Sequence, residues 1–415
     1  MIRWLASLCL VLAACDGVGR ALVEEGFDDQ IDDLQCAIME CRPAKFTPLK
    51  IAEPNAPDVG CAPSAPEQCE PASETEPGLG QGDVGVCRRT LSLDDDQIDL
   101  TAIRRLSCGR ARLVRTQSGS GAVVQIDGAR WTQLDVSVET VDPMTLELTS
   151  ASLSQIQLRI SGPVTVRVLD RAIATDLLVS SDSPSAAVDF LDANVTSVRL
   201  GDEQAEFAGR LAITRSKITR ANLVARDLTL ESVELTSARV TAENLHWVDV
   251  TARQVKLSAD TAVISASRLA AFEVLRCGLL AIHRTTLTSY AIPACSDGPT
   301  RLFGATLARG NLDGAFDVDD STINGSVFGV SDTTDLKLWD TNLSSVNFCA
   351  GTDHVVVAGQ ASFDCAACQE LDGTGVPIDA CRQADNKLLF LKSCRVLDVA
   401  PTCDPTPIRM RPPFN

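Results

Sequence analysis

Between residues 228 and 257 the chain reads LTLESVELTSARVTAENLHWVDVTARQVKL, and Leu230, Leu235, Val240, Leu245, Val250 and Val255 fall at every fifth position. An α-helix returns a side chain to the same face every 3.6 residues and a β-strand every 2. Neither period yields a strict five. A chain that turns a corner every five residues does, because each short extended side then directs one apolar side chain to the interior. The beat returns at Leu302, Leu307 and Leu312, and again at Leu343 and Phe348.

Upstream the pattern is different but compatible. Leu134, Val136 and Val138 alternate with polar residues, as do Met144, Leu146 and Leu148; Ile156, Leu158 and Ile160; Val164, Val166 and Val168; and Leu177 and Val179. These are short strands with one buried face. Alternate strands recur every 20 to 22 residues, and self-similarity at that period is the signature of stacked coils. An antiparallel sandwich would also use strands 8 to 12 residues apart. Its hairpins need turn dipeptides, and hairpin-type pairs such as Asp127-Gly128, Asp313-Gly314 and Asn324-Gly325 are few for the number of strands. The fivefold beat has no explanation in a sandwich. The expected class is all-β, a parallel β-solenoid.

The units Ala221-Asn222-Leu223, Ala305-Thr306-Leu307 and Gly310-Asn311-Leu312 resemble those of the pentapeptide-repeat family. The resemblance covers about a quarter of the chain. It implies a right-handed parallel β-solenoid of square coils, four pentads to a coil, with the central Leu or Phe and the small residue two positions before it both pointing inward. On that scheme Leu228, Val233, Ala238, Glu243, Val248 and Arg253 would face the interior too, and two of those are charged. A buried charge without a partner is costly, so a looser coil is expected.

Cysteine placement divides the chain. Of 16 cysteines, Cys9 and Cys15 lie at the amino terminus. Six follow at the front (Cys36, Cys41, Cys61, Cys69, Cys87, Cys108) and eight at the back (Cys277, Cys295, Cys349, Cys365, Cys368, Cys381, Cys394, Cys403). These fourteen are disulfide candidates. None lies between 109 and 276, where an apolar core alone must hold the fold. A solenoid exposes apolar surface and strand edges at both ends, and the two clusters sit where caps are needed. The expected organisation is a signal peptide over 1–14, an acidic tether and proline- and cysteine-rich segment over 15–90, the solenoid over 91–348, and a cysteine-rich cap and tail over 349–415.

The opening MIRWLASLCLVLAAC carries one basic residue, Arg3, and an apolar run of eleven from Trp4 to Ala14, which suits a signal-peptide core and is too short to span a bilayer. Leu12-Ala13-Ala14-Cys15 resembles the lipobox of bacterial lipoproteins. That resemblance implies cleavage before Cys15 and attachment of lipid, palmitate included, to its thiol and amine. Several acyl chains anchor firmly, at about 0.8 kcal/mol per buried methylene. The implied location is the bacterial cell envelope, at the outer membrane or cell surface, although Asp16 resembles an inner-membrane retention signal. The net charge of −18 argues against attraction to nucleic acid.

Residues able to do chemistry are few. His246, His283 and His354 are isolated, with no HExxH pair and no GxSxG elbow. The carboxylates of EEGFDDQIDD lack the spacing of an EF-hand loop. Cys365-Ala366-Ala367-Cys368 has the CxxC spacing of zinc or redox sites but no second ligand pair. Asp317, Asp319 and Asp320 superficially resemble the adjacent aspartates of polygalacturonases, a family that also carries a His-Gly and an Arg-Ile-Lys segment absent here. The expected role is structural, adhesive or binding, with a protein or glycan partner, no catalytic residue, no metal and no cofactor. The alternative is a carbohydrate-active β-helix enzyme, a polysaccharide hydrolase or lyase.

Overall fold

The computed structural model describes residues 88–349, apart from positions 120, 182, 202–206, 208 and 332, and a series of strands between 352 and 397. The chain winds into a parallel β-solenoid of about 13 turns. From Arg88–Ser92, which pairs with Arg105–Arg115, every described pairing of one coil with the next, as far as Ala367–Gln369, is parallel, which excludes the sandwich. The described helix, Leu100–Arg104, is one turn capped by Asp99, whose carboxylate accepts from the amides of Thr101 and Ala102 at 3.0 Å. It buries Ile103, whose carbonyl accepts from the indole N–H of Trp131 at 2.8 Å.

Register gives the coil lengths directly. Arg130 pairs with Ser152, Ser152 with Ile173, Ile173 with Asn194 and Asn194 with Lys217, so these coils take 22, 21, 21 and 23 residues. Lys217 then pairs with Glu234, Glu234 with Thr251 and Thr251 with Arg268, each a step of 17. The next steps, Arg268 to Thr286, Thr306, Thr322 and Asn342, are 18, 20, 16 and 20.

Two corners of every coil are built the same way. Among the described residues twenty-two non-glycines have positive φ, and all but Asp170 fall in two columns with three glycines. One column runs Gly128, Ser150, Arg171, Asp192, Arg215, Ser232, Asp249, Ala266, Arg284, Gly304, Asp320, Asp340. The other runs Gln133, Gln155, Asp176, Ser197, Arg220, Ser237, Gln254, Ala271, Ser289, Arg309, Gly325, Ser345. The two are five residues apart in each of twelve coils. None of these residues is β-branched, as the left-handed region requires. The glycines of Asp127-Gly128 and Asn324-Gly325 are thus solenoid corners rather than hairpin turns.

The side between these corners holds two buried residues, such as Val233 and Leu235, Val250 and Ala252, or Ala305 and Leu307. One pentad side per coil is therefore what resembles the pentapeptide unit; a 17-residue coil does not hold four. The remaining sides bury Ala238, Val240 and Ala242, then Leu245 and Trp247, before the next corner. Equivalent residues stack, Leu235 on Ala252 on Leu269, and Val240 on Leu257 on Val274. Each fully buried aliphatic side chain contributes about 1.5–3 kcal/mol.

This geometry corrects the reading of the fivefold beat. The six residues from Leu230 to Val255 are all buried, but they do not share one column, since position 230 stacks on 247 and 235 on 252. Three steps of five fall two residues short of a 17-residue coil, and on a strand the position two residues earlier also faces inward. The beat slides along the inward positions and ends at Asp260, an exposed corner residue. Glu243 and Arg253 are exposed rather than internal, and Val248 is half-buried on the outer side.

At the start of several pentad sides the inward residue is a hydroxyl. Ser267 Oγ donates to the carbonyl of Ser265 at 2.7 Å and accepts from the amide of Val250 at 3.0 Å. Ser216, Thr285 and Ser321 repeat the arrangement one coil at a time. Each bridges two coils at a corner and satisfies backbone groups that the ladder leaves over.

Parallel pairing continues beyond residue 348 through Thr352–Ala358, Gln360–Asp364 and Ala367–Gln369. There the direction reverses: Gly375–Pro377, Arg382–Asp385, Leu388–Phe390 and Arg395–Leu397 pair antiparallel. The last coil's edges are thereby occupied by strands that cannot template a further coil.

Candidate functional surface

The solenoid presents three outer sides, and the predicted residues distribute over them unevenly. Cys277 and Cys295 form a disulfide with Cα atoms 4.8 Å apart. It ties the loop after Tyr290 to the preceding coil, where Ser296 N donates to Cys277 O at 2.9 Å. Cys349 is disulfide-bonded as well. Cys108 and Cys368 lie in strands without described side chains. Cys15, Cys36, Cys41, Cys61, Cys69, Cys87, Cys365, Cys381, Cys394 and Cys403 lie outside the described residues.

Asp317, Asp319 and Asp320 do not converge. Asp320 is a left-handed corner residue, one of five aspartates in the two corner columns. Asp317 faces outward with Lys337 Nζ 3.8 Å away, and Asp319 is buried. His246 is exposed on the outer side of its strand. His283 is half-buried with its ring centroid 6.2 Å from that of Phe303. Burial, and then the charge of Arg284, hold its pKa below the usual histidine value. Among the described residues no group of three or more His, Cys, Asp or Glu is placed to hold a metal ion.

Outward charges form ladders across the wide coils. Arg167 lies between Glu147 at 3.2 Å and Asp189 at 3.4 Å, and Arg210 reaches Asp189 at 3.1 Å. Asp135 sits between Arg110 and Arg159, at 3.7 and 3.3 Å. Arg215 grips Asp192 through two hydrogen bonds of 2.9 and 2.8 Å, and holds that carboxyl below its usual pKa. Exposed pairs of this kind contribute little each, but they neutralise the flanks coil by coil.

The feature that the sequence does not announce is an aromatic column. Of the Phe, Trp and Tyr residues whose side chains are described, Phe303 and Trp339 are not buried and the other nine are. Both occupy the last position of the third side, immediately before a corner. Register runs His283, Phe303, Asp319, Trp339 through adjacent strands. The neighbouring outward column carries Ala281, Arg301, Asp317 and Lys337. Each ring therefore has a cation two residues before it on its own strand, and the strand between contributes two carboxylates. Phe303 and Trp339 lie 36 residues apart, and only the lengths of the two intervening coils reveal that they share a column.

Comparison with protein-family models, with curated proteins and with solved structures finds no match to this chain.

Proposed function

We propose that the chain is a lipid-anchored cell-envelope protein with a structural, adhesive or binding role, held at the membrane by Cys15. The observation that carries the role is the solenoid itself: a parallel ladder of stacked coils whose outer sides carry rows of paired charges. Such a scaffold presents a long face to a partner. Export is supported by the lipobox-like Leu12-Ala13-Ala14-Cys15 and by the Cys277–Cys295 disulfide, since such bonds persist in oxidising compartments. No described helix is long and apolar enough to cross a membrane.

Metabolic labelling with palmitate tests the anchor: label should enter the protein and disappear in Cys15→Ala. Unlabelled protein, or label that survives the substitution, overturns it. Protease shaving of intact cells, with cross-linking, fixes the side and the neighbour. Release of reducing ends from a polysaccharide by the purified protein, abolished in Asp319→Asn, would replace this reading with the enzymatic one.

A further inference from the structure

We infer that the Phe303–Trp339 column is a binding site for a neutral, extended polysaccharide lying along the solenoid axis. The inference rests on the binding role proposed above and names its partner class.

Four observations carry it. First, partly exposed aromatic side chains occur, among the described residues, at these two positions only, and the fold stacks them in one column. Second, neighbouring strands lie about 4.8 Å apart, so the two rings are about 9.6 Å apart along the axis. That spacing is comparable to the disaccharide repeat of an extended glycan, so alternate sugars can each rest an apolar face on a ring. Third, the polar groups match what a sugar needs at its edges. Arg301 and Lys337 can donate beside each ring, and the carboxylate of Asp317 can accept from hydroxyls between them. A protein hot spot would instead require a contiguous apolar centre. Here a carboxylate rung separates the rings.

Fourth, the charge around the column selects against acidic sugars. Asp317, Asp319, Asp320, Asp335 and Asp340 outnumber Arg284, Arg301 and Lys337, and Lys337 is already beside Asp317. A uronic acid chain would set like charges against each other. The rigid backbone keeps the rings in place before binding, which lowers the ordering cost.

Native gels containing hydroxyethylcellulose, xyloglucan, galactomannan or laminarin, run beside gels with polygalacturonate, test this on the full-length protein in mild detergent. We expect retardation by at least one neutral polymer and none by polygalacturonate. Trp339→Leu and Phe303→Leu, which keep apolar volume and remove the ring, should each weaken binding about tenfold with the melting temperature nearly unchanged. Should either variant fold poorly, Asp317→Asn, which alters a surface carboxylate between the rings, should still weaken binding severalfold. No retardation by any neutral polymer, retention by polygalacturonate alone, or normal binding by folded Leu or Asn variants overturns the inference. A protein recovered by cross-linking at Trp339 in place of a glycan overturns it too. These outcomes are independent of palmitate labelling, so the anchor and the glycan site can fail separately.

Discussion

The coils between 130 and 216 take 21 to 23 residues and those between 217 and 267 take 17, yet one side is the same in both. That side spans two left-handed corners five residues apart and buries two side chains. Length is gained elsewhere. A wide coil buries three residues on its third side, Val164, Val166 and Val168, and turns there through residues 161–163. A tight coil buries two, Leu245 and Trp247, and turns through Glu243 and Asn244 inside the unbroken strand Glu234–Val248. Two corners are fixed by backbone conformation, and the third adjusts to whatever length arrives.

The largest expected effect follows from that division. One alanine inserted after Leu235 shifts the rest of the pentad side by one residue and turns inward side chains outward. It should cost roughly 4 kcal/mol or more, or prevent folding. The same alanine inserted after Glu243 enters the adjustable corner and should cost less than about 1 kcal/mol. Denaturant unfolding of both variants measures the contrast, and equal losses would end the distinction between fixed and adjustable corners.

Where the solenoid widens again, after residue 285, the third corner becomes the loop 293–299 and acquires the Cys277–Cys295 disulfide. The bond closes a span of 18 residues, so replacing both cysteines by alanine should cost about 3 kcal/mol. A comparable loss is expected for Gly310→Ala, because an added Cβ would meet the ring of the fully buried Tyr290 at 2.5 Å. That overpacking should cost about 3 kcal/mol. Tyr290→Phe is the mild counterpart. It removes the 2.6 Å hydrogen bond to Ser326, whose hydroxyl still donates to the Asn324 carbonyl, and should cost about 1 kcal/mol.

At the fixed corners the sign of the expected effect depends on the residue introduced. A left-handed residue other than glycine carries about 1–2 kcal/mol of strain. Ala266→Gly should therefore be neutral or stabilise by up to about 1 kcal/mol. Gln254→Val should lose about 1–2 kcal/mol, since a β-branched side chain tolerates that conformation least. The same pair in a wide coil, Ser150→Gly and Gln155→Val, should behave alike; a difference would show that the corners are not equivalent in the two regions.

These corners also mark what was legible in the sequence. Inward positions were readable because alternation exposes them: Val164, Val166 and Val168, or Leu230 to Val255, announce a solenoid. Coil length was not. It depends on which residues adopt positive φ, and Gln133, Arg220 and Ala271 carry no local mark of that conformation. Without coil length no stacking can be assigned: Glu243 and Arg253 signal only that a strict pentapeptide coil does not fit, and nothing marks Phe303 and Trp339 as neighbours. The candidate surface is hidden by the same missing quantity, whereas the corner glycines Gly128 and Gly325 are visible in the sequence as turn-type dipeptides too few for a hairpin fold.

The smallest effect concerns His283, on the outer third side where the tight coils end. Its equivalents one and two coils earlier, Ser265 and Val248, do not titrate in the neutral range. Burial lowers the His283 pKa below 6.5 in the folded chain, so between the two values the unfolded chain binds the extra proton. Stability then rises with pH through that window and falls as pH drops below about 6.5. Asp192, Asp227 and Glu139, whose pKa values are lowered by hydrogen bonds from Arg215, Asn244 and Arg112, act in a separate range. Their stabilisation is lost only as pH falls through the carboxylate range, near 4 and below. Melting temperature followed from pH 7.5 to 5 should decline in the native chain and decline less in His283→Gln. Equal slopes would show that the imidazole is as easily protonated in the coil as in water, and that the third side is wetter at residue 283 than its half-buried ring implies.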